Sequence, residues 1–342
     1  MNTSLIPGQR QSPDAITVRG LNKMYGLPKG GTLTAVDQLD LTIRAGETYA
    51  LLGPNGAGKS TTIEILEGHR KPDSGEVMVL GTRPWKAPSF RARIGIVLQE
   101  ATDSGELRVS EALRSLAACF PAPRPVDEVI EAVGLGGKGG VRISTLSGGQ
   151  RRRLDVALGV IGNPEVLFLD EPTTGFDPEA RRQFWDLIRQ LSSGGTTIVL
   201  TTHYLDEAEQ LAGRIGVINH GRLIAEGSPQ EIGGPGFRVP RVRWRDGSGL
   251  REVVTEQPAS LVASLSDGGA IEPAELAVVR PSLEDIYLQL IGAEPSAVHP
   301  SRPPPTVRPG AHQSCAWGLA GSCWRSNYLT VTCYLWSCSS RS

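Results

Sequence analysis

The sequence predicts an α/β fold in which a parallel sheet carries a phosphate-binding loop, and three stretches support this prediction. The first is a glycine-rich run at residues 53–61, which follows an apolar segment and precedes a segment that can be helical. The second and third are apolar-rich runs at residues 166–169 and 196–200, of the kind that forms strands buried on both faces. Open α/β sheets bind ligands at the carboxyl ends of such strands. The sequence therefore predicts a ligand site where these stretches end.

The glycine-rich loop fits the pattern G-x-x-x-x-G-K-[ST]. Its residues are, in order, Gly53, Pro54, Asn55, Gly56, Ala57, Gly58, Lys59, Ser60 and Thr61. In this pattern backbone N–H groups surround phosphate oxygens, and the helix that follows directs its positive dipole end at them. Lys59 is predicted to reach the β- and γ-phosphates, and the Ser60 hydroxyl to ligate Mg²⁺. The alternative is a chance match in a chain with 41 Gly, against which the apolar segment and the helical segment argue.

Composition limits the class of protein. A chain of 342 residues, 39% of them hydrophobic, can form one large or two ordinary domains with a sizeable core. The formal net charge of −1 gives no indication of a nucleic-acid partner. Only Cys119 of the five cysteines precedes residue 315, which fits a reducing cytosol. We expect no signal peptide, because residues 1–14 are polar and lack an apolar h-region. We expect no membrane-spanning helix, because no apolar stretch of about 18 residues occurs.

Near the N-terminus, three alternating segments predict a small antiparallel sheet beside the parallel one. They lie at residues 16–21, 39–43 and 75–80, after a leader at residues 1–13 that we expect to be flexible. Tyr25 lies between the first two segments. Its ring can stack on a base or be an ordinary half-buried tyrosine, and the residues alone favour the second interpretation.

A further strand and a helix start carry polar residues. The strand predicted at residues 94–98 ends at Gln99. Helices are predicted at residues 109–116 and 126–133, and the run Leu-Ser-Gly-Gly-Gln follows at residues 146–150. Ser147 is a natural N-cap for the helix behind it. A capped helix start with two glycines is either a second anion site or a plain cap, and the run alone does not separate the two.

The buried strand at residues 166–169 delivers two acids at its carboxyl end. Asp170 is predicted to hold the coordination shell of Mg²⁺, and Glu171 is predicted to polarise an attacking water. Solvated acids at a strand end are the alternative, which fits poorly beside a phosphate loop. The strand at residues 196–200 ends near His203, which is predicted either to contact a γ-phosphate or to be a capping or buried histidine.

The chain resembles the nucleotide-binding domain of ATP-binding cassette (ABC) transporters in five elements, which occur in the same order. They are the phosphate loop, Gln99, residues 146–150, residues 167–171 and His203. The resemblance covers roughly residues 15–232, and the Leu-Ser-Gly-Gly-Gln run before an apolar strand ending in Asp-Glu is its specific part. Residues 175–178 are similar to the D-loop of the family, although Phe176 stands where leucine is more usual. The resemblance implies a P-loop NTPase cassette at residues 14–232: a mixed core sheet, an antiparallel β subdomain and an α-helical signature subdomain at about residues 100–160.

The resemblance also implies ATP and Mg²⁺ as cofactors, with roles for individual residues. The catalytic residues would be Glu171, His203, Lys59 and Gln99, and the metal contacts would come from Ser60, Gln99 and Asp170. Tyr25 would stack on adenine, and Gln99 would relay the nucleotide state to a membrane partner. The remaining nucleotide contacts would come from the loop at residues 53–61 and from Ser147, Gly149, Gln150 and Asp177.

Only one phosphate loop and one signature run occur, so the resemblance implies that a complete site needs two chains. Ser147 and Gly149 would contact the γ-phosphate of ATP held by the opposite subunit, in a head-to-tail homodimer or paired cassette. Residues 64–68 and 282–287 are similar to ATPases of the ABC-2 exporter group, and of its daunorubicin-resistance type in particular. This implies efflux of a drug, lipid or polysaccharide through a separate permease, at the cytoplasmic face of the membrane. The alternative is a soluble ABC ATPase of translation or DNA maintenance.

After the cassette, the sequence predicts a small α+β accessory region at residues 233–292. Alternation at residues 239–244 predicts a strand with one basic face, either solvated or in contact with lipid or permease. Ser282 and Asp285 form a capping-box pattern at the start of a last helix. The cysteine- and tryptophan-rich tail at residues 293–342 contains no acid after Glu294 and lacks the C-x-x-C spacing of zinc motifs, and we expect it not to pack.

Overall fold

A computed structural model of the chain describes residues 14–28, 30–97, 106–174, 176–269 and 273–292. Within them the strands are β1 (Asp14–Gly26), β2 (Thr32–Arg44), β3 (Thr48–Leu52), β4 (Ser74–Val79), β5 (Ile94–Val97), β6 (Val166–Asp170), β7 (Thr197–Thr201), β8 (Arg214–Asn219), β9 (Arg222–Gly227), β10 (Arg241–Asp246), β11 (Gly249–Val254) and β12 (Ala274–Val279). The helices are α1 (Lys59–Leu66), α2 (Val109–Ala117), α3 (Val126–Ala132), α4 (Gly148–Val160), α5 (Pro178–Ser193), α6 (Leu205–Leu211), α7 (Pro258–Leu265) and α8 (Leu283–Gly292). The predicted leader at residues 1–13, the tail at residues 293–342 and Gln99 lie outside the described residues.

The central sheet has the strand order β5-β6-β7-β3-β8-β9, in which β9 alone runs antiparallel to its neighbour. Every residue of β3 and β7 is buried. Successive side chains of the central strands, such as β3 and β6, belong to two different cores. Leu51 and Phe168 pack towards the antiparallel sheet, whereas Leu52 and Leu169 pack towards the helices. Two buried faces explain why these strands are apolar at nearly every position rather than at every second one.

The strands singled out by the sequence are neighbours in this sheet. Strand β7 pairs with β6 on one side and with β3 on the other, and Thr201 stands opposite both Asp170 and Leu51. The end of β3 leads into the phosphate loop, and the end of β6 carries the two acids. The carboxyl ends of these three strands therefore form one continuous floor, as the sequence predicted.

The predicted antiparallel sheet is confirmed, with the strand order β2-β1-β4. Its apolar positions, such as Ile16 and Val18, are buried in the core shared with Phe168 and with Ile65 of α1. Tyr25 lies at the far end of β1, where it pairs with Leu33 of β2. This sheet thus forms a second layer beside the helix that leaves the phosphate loop.

Helices α2, α3 and α4 lie between β5 and β6 in the chain, where the sequence predicted helices. Helix α5 buries a stripe of four apolar side chains with the 3.6-residue period of a helix, Phe184, Leu187, Ile188 and Leu191. The turn at His220 and Gly221 joins β8 to β9 in a hairpin, with φ of 48° and 78°. No helix in the described residues is long and apolar enough to cross a membrane.

Beyond residue 232 the chain forms a separate three-stranded sheet with the order β11-β10-β12. Helix α8 begins with the predicted capping box, in which the Asp285 N–H donates to the Ser282 hydroxyl at 3.2 Å and the Ser282 N–H donates to the Asp285 carboxylate at 2.8 Å. Leu283 and Ile286 of this helix are buried in the same core as Ile232 and the helices of the main sheet. The last helix is therefore part of the packing of the cassette.

Candidate nucleotide-binding and hydrolysis site

The glycine-rich loop packs so closely against its surroundings that no side chain fits at two of its positions. A Cβ atom on Gly53 would lie 2.3 Å from the Ile218 carbonyl oxygen, and one on Gly58 would lie 2.2 Å from the Ala35 carbonyl oxygen. Gly58 also has φ of 106° and is the N-cap of α1. The first N–H groups of a helix lack partners within it. The loop therefore wraps around the positive end of α1 and suits phosphate oxygens.

Lys59 points its ammonium group back over this loop. Its Nζ donates to the Gly53 carbonyl at 2.7 Å and to the Pro54 carbonyl at 3.2 Å, and the residue is 8% exposed. Burial lowers the pKa of Lys59, and the charges of Glu171 and Asp170 act in the opposite direction. One buried cation thus faces the two acids at the end of β6, which is the charge arrangement that a metal-bound triphosphate would bridge.

The hydroxyl groups at the start of α1 divide between the solvent and the protein. Ser60, the predicted metal contact, is exposed, and Thr61 is half-buried. The buried Thr62 donates from its hydroxyl to the Gly58 carbonyl at 2.9 Å. Ser60 is therefore accessible to a ligand, whereas Thr62 secures the first turn of the helix.

Asp170, Glu171 and His203 converge at the ends of β6 and β7. The Thr201 hydroxyl donates to the Asp170 carboxylate, and the Glu171 N–H donates to the Thr201 carbonyl at 3.1 Å. The Nδ1 atom of His203 lies 3.3 Å from Oε2 of Glu171. Glu171 adopts φ of 44°, a left-handed conformation that is uncommon outside glycine and concentrated at functional sites. The predicted base and the predicted γ-phosphate contact are thus direct neighbours.

Arg152 was not singled out by the sequence, yet it ties the signature helix to the strand that carries the acids. Its Nε donates to the Pro172 carbonyl at 2.8 Å and its Nη2 donates to the Asp170 carbonyl at 3.3 Å. Burial lowers the pKa of Arg152, and burial raises the pKa of the adjacent Asp155 to about 6. Three consecutive arginines, residues 151–153, occupy this part of α4. No pattern in the sequence indicates which of the three turns inward.

The signature run forms a helix start with a complete capping box. The Gln150 N–H donates to the Ser147 hydroxyl at 3.3 Å, and the Ser147 N–H donates to the Gln150 side chain at 3.2 Å. Ser147 is exposed and Gly149 half-buried. Within the described part of the chain, neither Ser147 nor Gln150 has a hydrogen bond that reaches the phosphate loop. The predicted N-cap is confirmed, and the two predicted groups of phosphate contacts are not joined within one chain.

The remaining predicted contacts lie around this centre. Asp177 caps α5, where its carboxylate accepts from the Ala180 N–H at 2.8 Å. The ring of Tyr25 is half-buried, with Lys23 Nζ at 5.6 Å and the Arg70 guanidinium at 5.5 Å from its centre. Gln99, the other predicted catalytic and metal contact, lies outside the described residues.

The sequence is similar to those of known proteins. A family model described as ABC transporter matches residues 36–174. The chain is 45% identical over 314 residues to a daunorubicin/doxorubicin resistance ATP-binding protein, DrrA of Streptomyces peucetius, covering 82% of this chain and 94% of the relative. It is 37% identical over 305 residues to the Nod factor export ATP-binding protein I of Cupriavidus metallidurans, covering 82% and 98%.

Solved structures of similar fold are also ATP-binding cassettes. One is cbiO1 from Clostridium perfringens, described as part of the ABC transporter complex cbiONQ, with 28% identity, a TM-score of 0.57 and coverage of 64% of this chain and 90% of that one. Another is a dimeric cassette in a post-hydrolysis state bound to ADP and Pi, with a TM-score of 0.56 and coverage of 62% and 98%; at 24% identity it supports the fold alone. The predicted fold class is confirmed.

Proposed function

The chain belongs to the family of ABC transporter ATP-binding subunits and is an ATPase of the export type, and we propose that it works as a head-to-tail dimer that hydrolyses Mg²⁺-bound ATP. The observation that carries this proposal is the convergence of Lys59, Asp170, Glu171 and His203 at the ends of three adjacent strands. The relatives named above are export subunits, so the soluble class of translation or DNA maintenance is not supported.

For nucleotide binding, we propose that the loop at residues 53–61 holds the phosphates. Positions 53 and 58 leave no room for a Cβ atom, so the backbone itself forms the wall of the phosphate site. Lys59 would exchange its contacts with loop carbonyls for phosphate oxygens. The half-buried ring of Tyr25 would stack on adenine. The role of Gln99 stays a prediction.

For hydrolysis, the chain's own residues supply a base, an orienting group and metal contacts. Glu171 would accept a proton from the attacking water, and His203, 3.3 Å from its carboxylate, would fix its direction and contact the γ-phosphate. The exposed Ser60 hydroxyl and the Asp170 carboxylate are oxygen donors of the kind that Mg²⁺ prefers. When bound, Mg²⁺ would neutralise phosphate charge.

The dimer follows from the separation of the two halves of the predicted site. Ser147 and Gly149 stand at the positive end of α4, and the hydrogen bonds of Ser147 are confined to the cap itself. A second chain in the opposite orientation would bring this helix end to the triphosphate held by the first. ATP would then lie between the two chains, and its hydrolysis would release them. The partner would be a second copy of this chain or a paired cassette.

At the membrane, we propose that the chain works at the cytoplasmic face, through a separate permease. The two relatives carry the names of a drug resistance and a Nod factor export protein. We therefore propose export of a drug, lipid or polysaccharide, with antibiotic resistance as one consequence. Expression of the chain with its permease in a sensitive host should raise tolerance to the exported compound, whereas the inactive variant described next should not.

Glu171→Gln tests the assigned base most directly. The variant keeps the shape of the side chain but removes its ability to accept a proton, so phosphate release should fall about 100-fold or more while ATP binding persists. Light scattering with Mg²⁺-ATP should show an accumulated dimer. The matched control is Glu209→Gln, an exposed acid on α6, which should behave like the wild type. Near-wild-type turnover by Glu171→Gln would remove Glu171 from this role.

A further inference from the structure

Thr201 is the last residue of β7, the strand that lies between the two functional strands. It is 1% exposed and stands opposite Asp170 of β6 and Leu51 of β3. The phosphate loop begins just after β3, and the acids follow β6. Thr201 is therefore the central residue of the floor of the site, although it contributes no charge.

The Thr201 hydroxyl donates a hydrogen bond to one oxygen of the Asp170 carboxylate, Oδ1. Hydrogen bonds from a hydroxyl to an ionised carboxylate are among the stronger ones in proteins. Because one oxygen is held in this way, rotation of the carboxylate is restricted and its other oxygen keeps a fixed direction. The hydroxyl thus sets the orientation in which the Asp170 carboxylate would bind a metal ion.

The same residue also holds the backbone of Glu171. The Glu171 N–H donates to the Thr201 carbonyl at 3.1 Å and lies within hydrogen-bonding distance of the Thr201 hydroxyl, with 3.3 Å between N and Oγ1. Glu171 has a left-handed φ of 44°, which an L-residue adopts only at an energetic cost. A doubly accepted N–H keeps the residue in this conformation and so determines where its carboxylate lies beside His203.

We infer that Thr201 is a positioning residue whose hydroxyl fixes the metal-binding carboxylate of Asp170 and the backbone of the base Glu171 as one unit. The hydroxyl is the donor towards Asp170 and an acceptor from Glu171, so a single group sets the distance between the two functions. This inference rests on the proposed roles of Asp170 and Glu171. It adds a buried residue that acts through these two.

The test is a graded series at Thr201, measured on the purified full chain. Thr201→Val removes the hydroxyl at nearly constant size, and we expect kcat to fall about tenfold or more while KM for ATP changes less than about threefold. Thr201→Ser restores the hydroxyl and should remain within about threefold of wild type. Thr201→Cys offers a weak donor and should fall between Ser and Val. If Thr201→Val does not fold, the order of Ser and Cys still decides the question.

A matched control lies at the other end of the same strand. Thr197 is 2% exposed, and its hydroxyl accepts from the Gly46 N–H at 3.0 Å, away from the acids. Thr197→Val should lose as much thermal stability as Thr201→Val and keep the wild-type kcat. Equal kcat values for the two valine variants would overturn the inference.

A binding measurement adds a readout that does not depend on turnover. The affinity for a fluorescent ATP analogue in EDTA should be the same in Thr201→Val and wild type, because the phosphate loop is untouched. The gain in affinity when Mg²⁺ is added should be smaller in the variant, and an equal gain would count against the role towards Asp170.

An inactive Glu171→Gln with a fully active Thr201→Val would contradict this inference alone. Turnover by Glu171→Gln would contradict the proposed function itself.

Discussion

Two regions of the molecule contain acidic and basic side chains, yet they use them differently. At the end of the central sheet, Lys59 is 8% exposed and donates to two backbone carbonyls. On the C-terminal sheet, Arg243 contacts Glu252 at 2.7 Å, but the two side chains are 44% and 35% exposed. In the first region backbone carbonyls hold Lys59 and the buried Thr201 hydroxyl holds the Asp170 carboxylate, whereas in the second the charged groups contact each other at the surface.

The comparison shows that a short distance between charges does not by itself identify a functional group. Exposed ion pairs gain little, because water screens them and ordering two long side chains has an entropic cost. A buried charge is tolerated only where hydrogen bonds compensate for its lost hydration. The charged groups that buried hydrogen bonds hold in place are therefore those whose geometry matters, and Lys59 and Asp170, which we assign to nucleotide chemistry, are among them.

The largest effect should follow from altering the backbone wall of the phosphate site. Gly58→Ala would place a Cβ atom 2.2 Å from the Ala35 carbonyl in a residue with φ of 106°. We expect it to reduce ATP affinity about 100-fold or more and to destabilise the fold by about 3 kcal/mol, since the clash is with backbone rather than with a movable side chain. Urea unfolding and nucleotide titration measure the two effects.

Gly56 provides the control within the same loop. It also has a positive φ, 79°, but a Cβ atom there meets open space. Gly56→Ala should therefore cost only about 1 kcal/mol through its conformation. If the two variants bound ATP equally well, the close packing of the loop would have no bearing on binding.

An intermediate effect on stability is expected at His69, which is more exposed than Lys59 and less exposed than Arg243. Its Nδ1 atom is 3.2 Å from Oε2 of the buried Glu67, with the histidine side chain 37% exposed. The hydrogen bond to Glu67 raises the pKa of His69 above its ordinary 6.5, although burial and the charge of Arg91 oppose the rise. A raised folded-state pKa means that this stabilisation is complete below pH 6.5 and is lost as the pH rises through the folded value.

His69→Gln should therefore lower the melting temperature more at about pH 6 than at about pH 8.5, where the wild-type histidine is neutral too. The difference should correspond to less than about 1 kcal/mol, because solvent screens the exposed part of the ring. A melting-temperature difference between the two proteins that does not vary with pH would contradict the assignment of this titration to His69.

The smallest effect should come from the exposed pairs of the C-terminal sheet. Glu252 lies at the surface, and the hydrogen bond from Arg243 lowers its pKa. Glu252→Gln removes the ion pairs with Arg241 and Arg243, yet we expect the melting temperature to change by less than about 1 °C and ATPase activity not at all. A calorimetric scan and a phosphate assay are sufficient. A loss comparable to that of Gly58→Ala would show that this sheet supports the site.

Much of the fold could be predicted, because the central strands bury both faces and therefore leave continuous apolar runs. The two caps at Ser147 and Ser282 could also be predicted, since an N-cap depends on residues three positions apart. Strand β11 could not, because its side chains are mostly exposed and carry no clear alternation. Sequence patterns were thus sufficient to predict the structural features that depend on residues close together in the chain.

In the site, sequence patterns identified the groups that carry charge and missed those that hold them. Lys59, Asp170, Glu171 and His203 belong to motifs, and the structure brings them together. Thr201 is one threonine among several in its segment, and its importance depends on strand β7 lying between β3 and β6. That neighbourhood is set by pairing between strands far apart in the chain, which no local pattern records.

The last helix, α8, has a consequence for how the chain is made. Leu283 and Ile286 fill the same core as Ile232, which precedes them by some fifty positions. Until Ile286 has left the ribosome, the apolar surface that it covers is open to the cell, although every nucleotide motif has already been translated. Before α8 has been synthesised, the nascent chain therefore exposes an apolar surface that favours aggregation. We expect any dependence on a chaperone to end once α8 has packed.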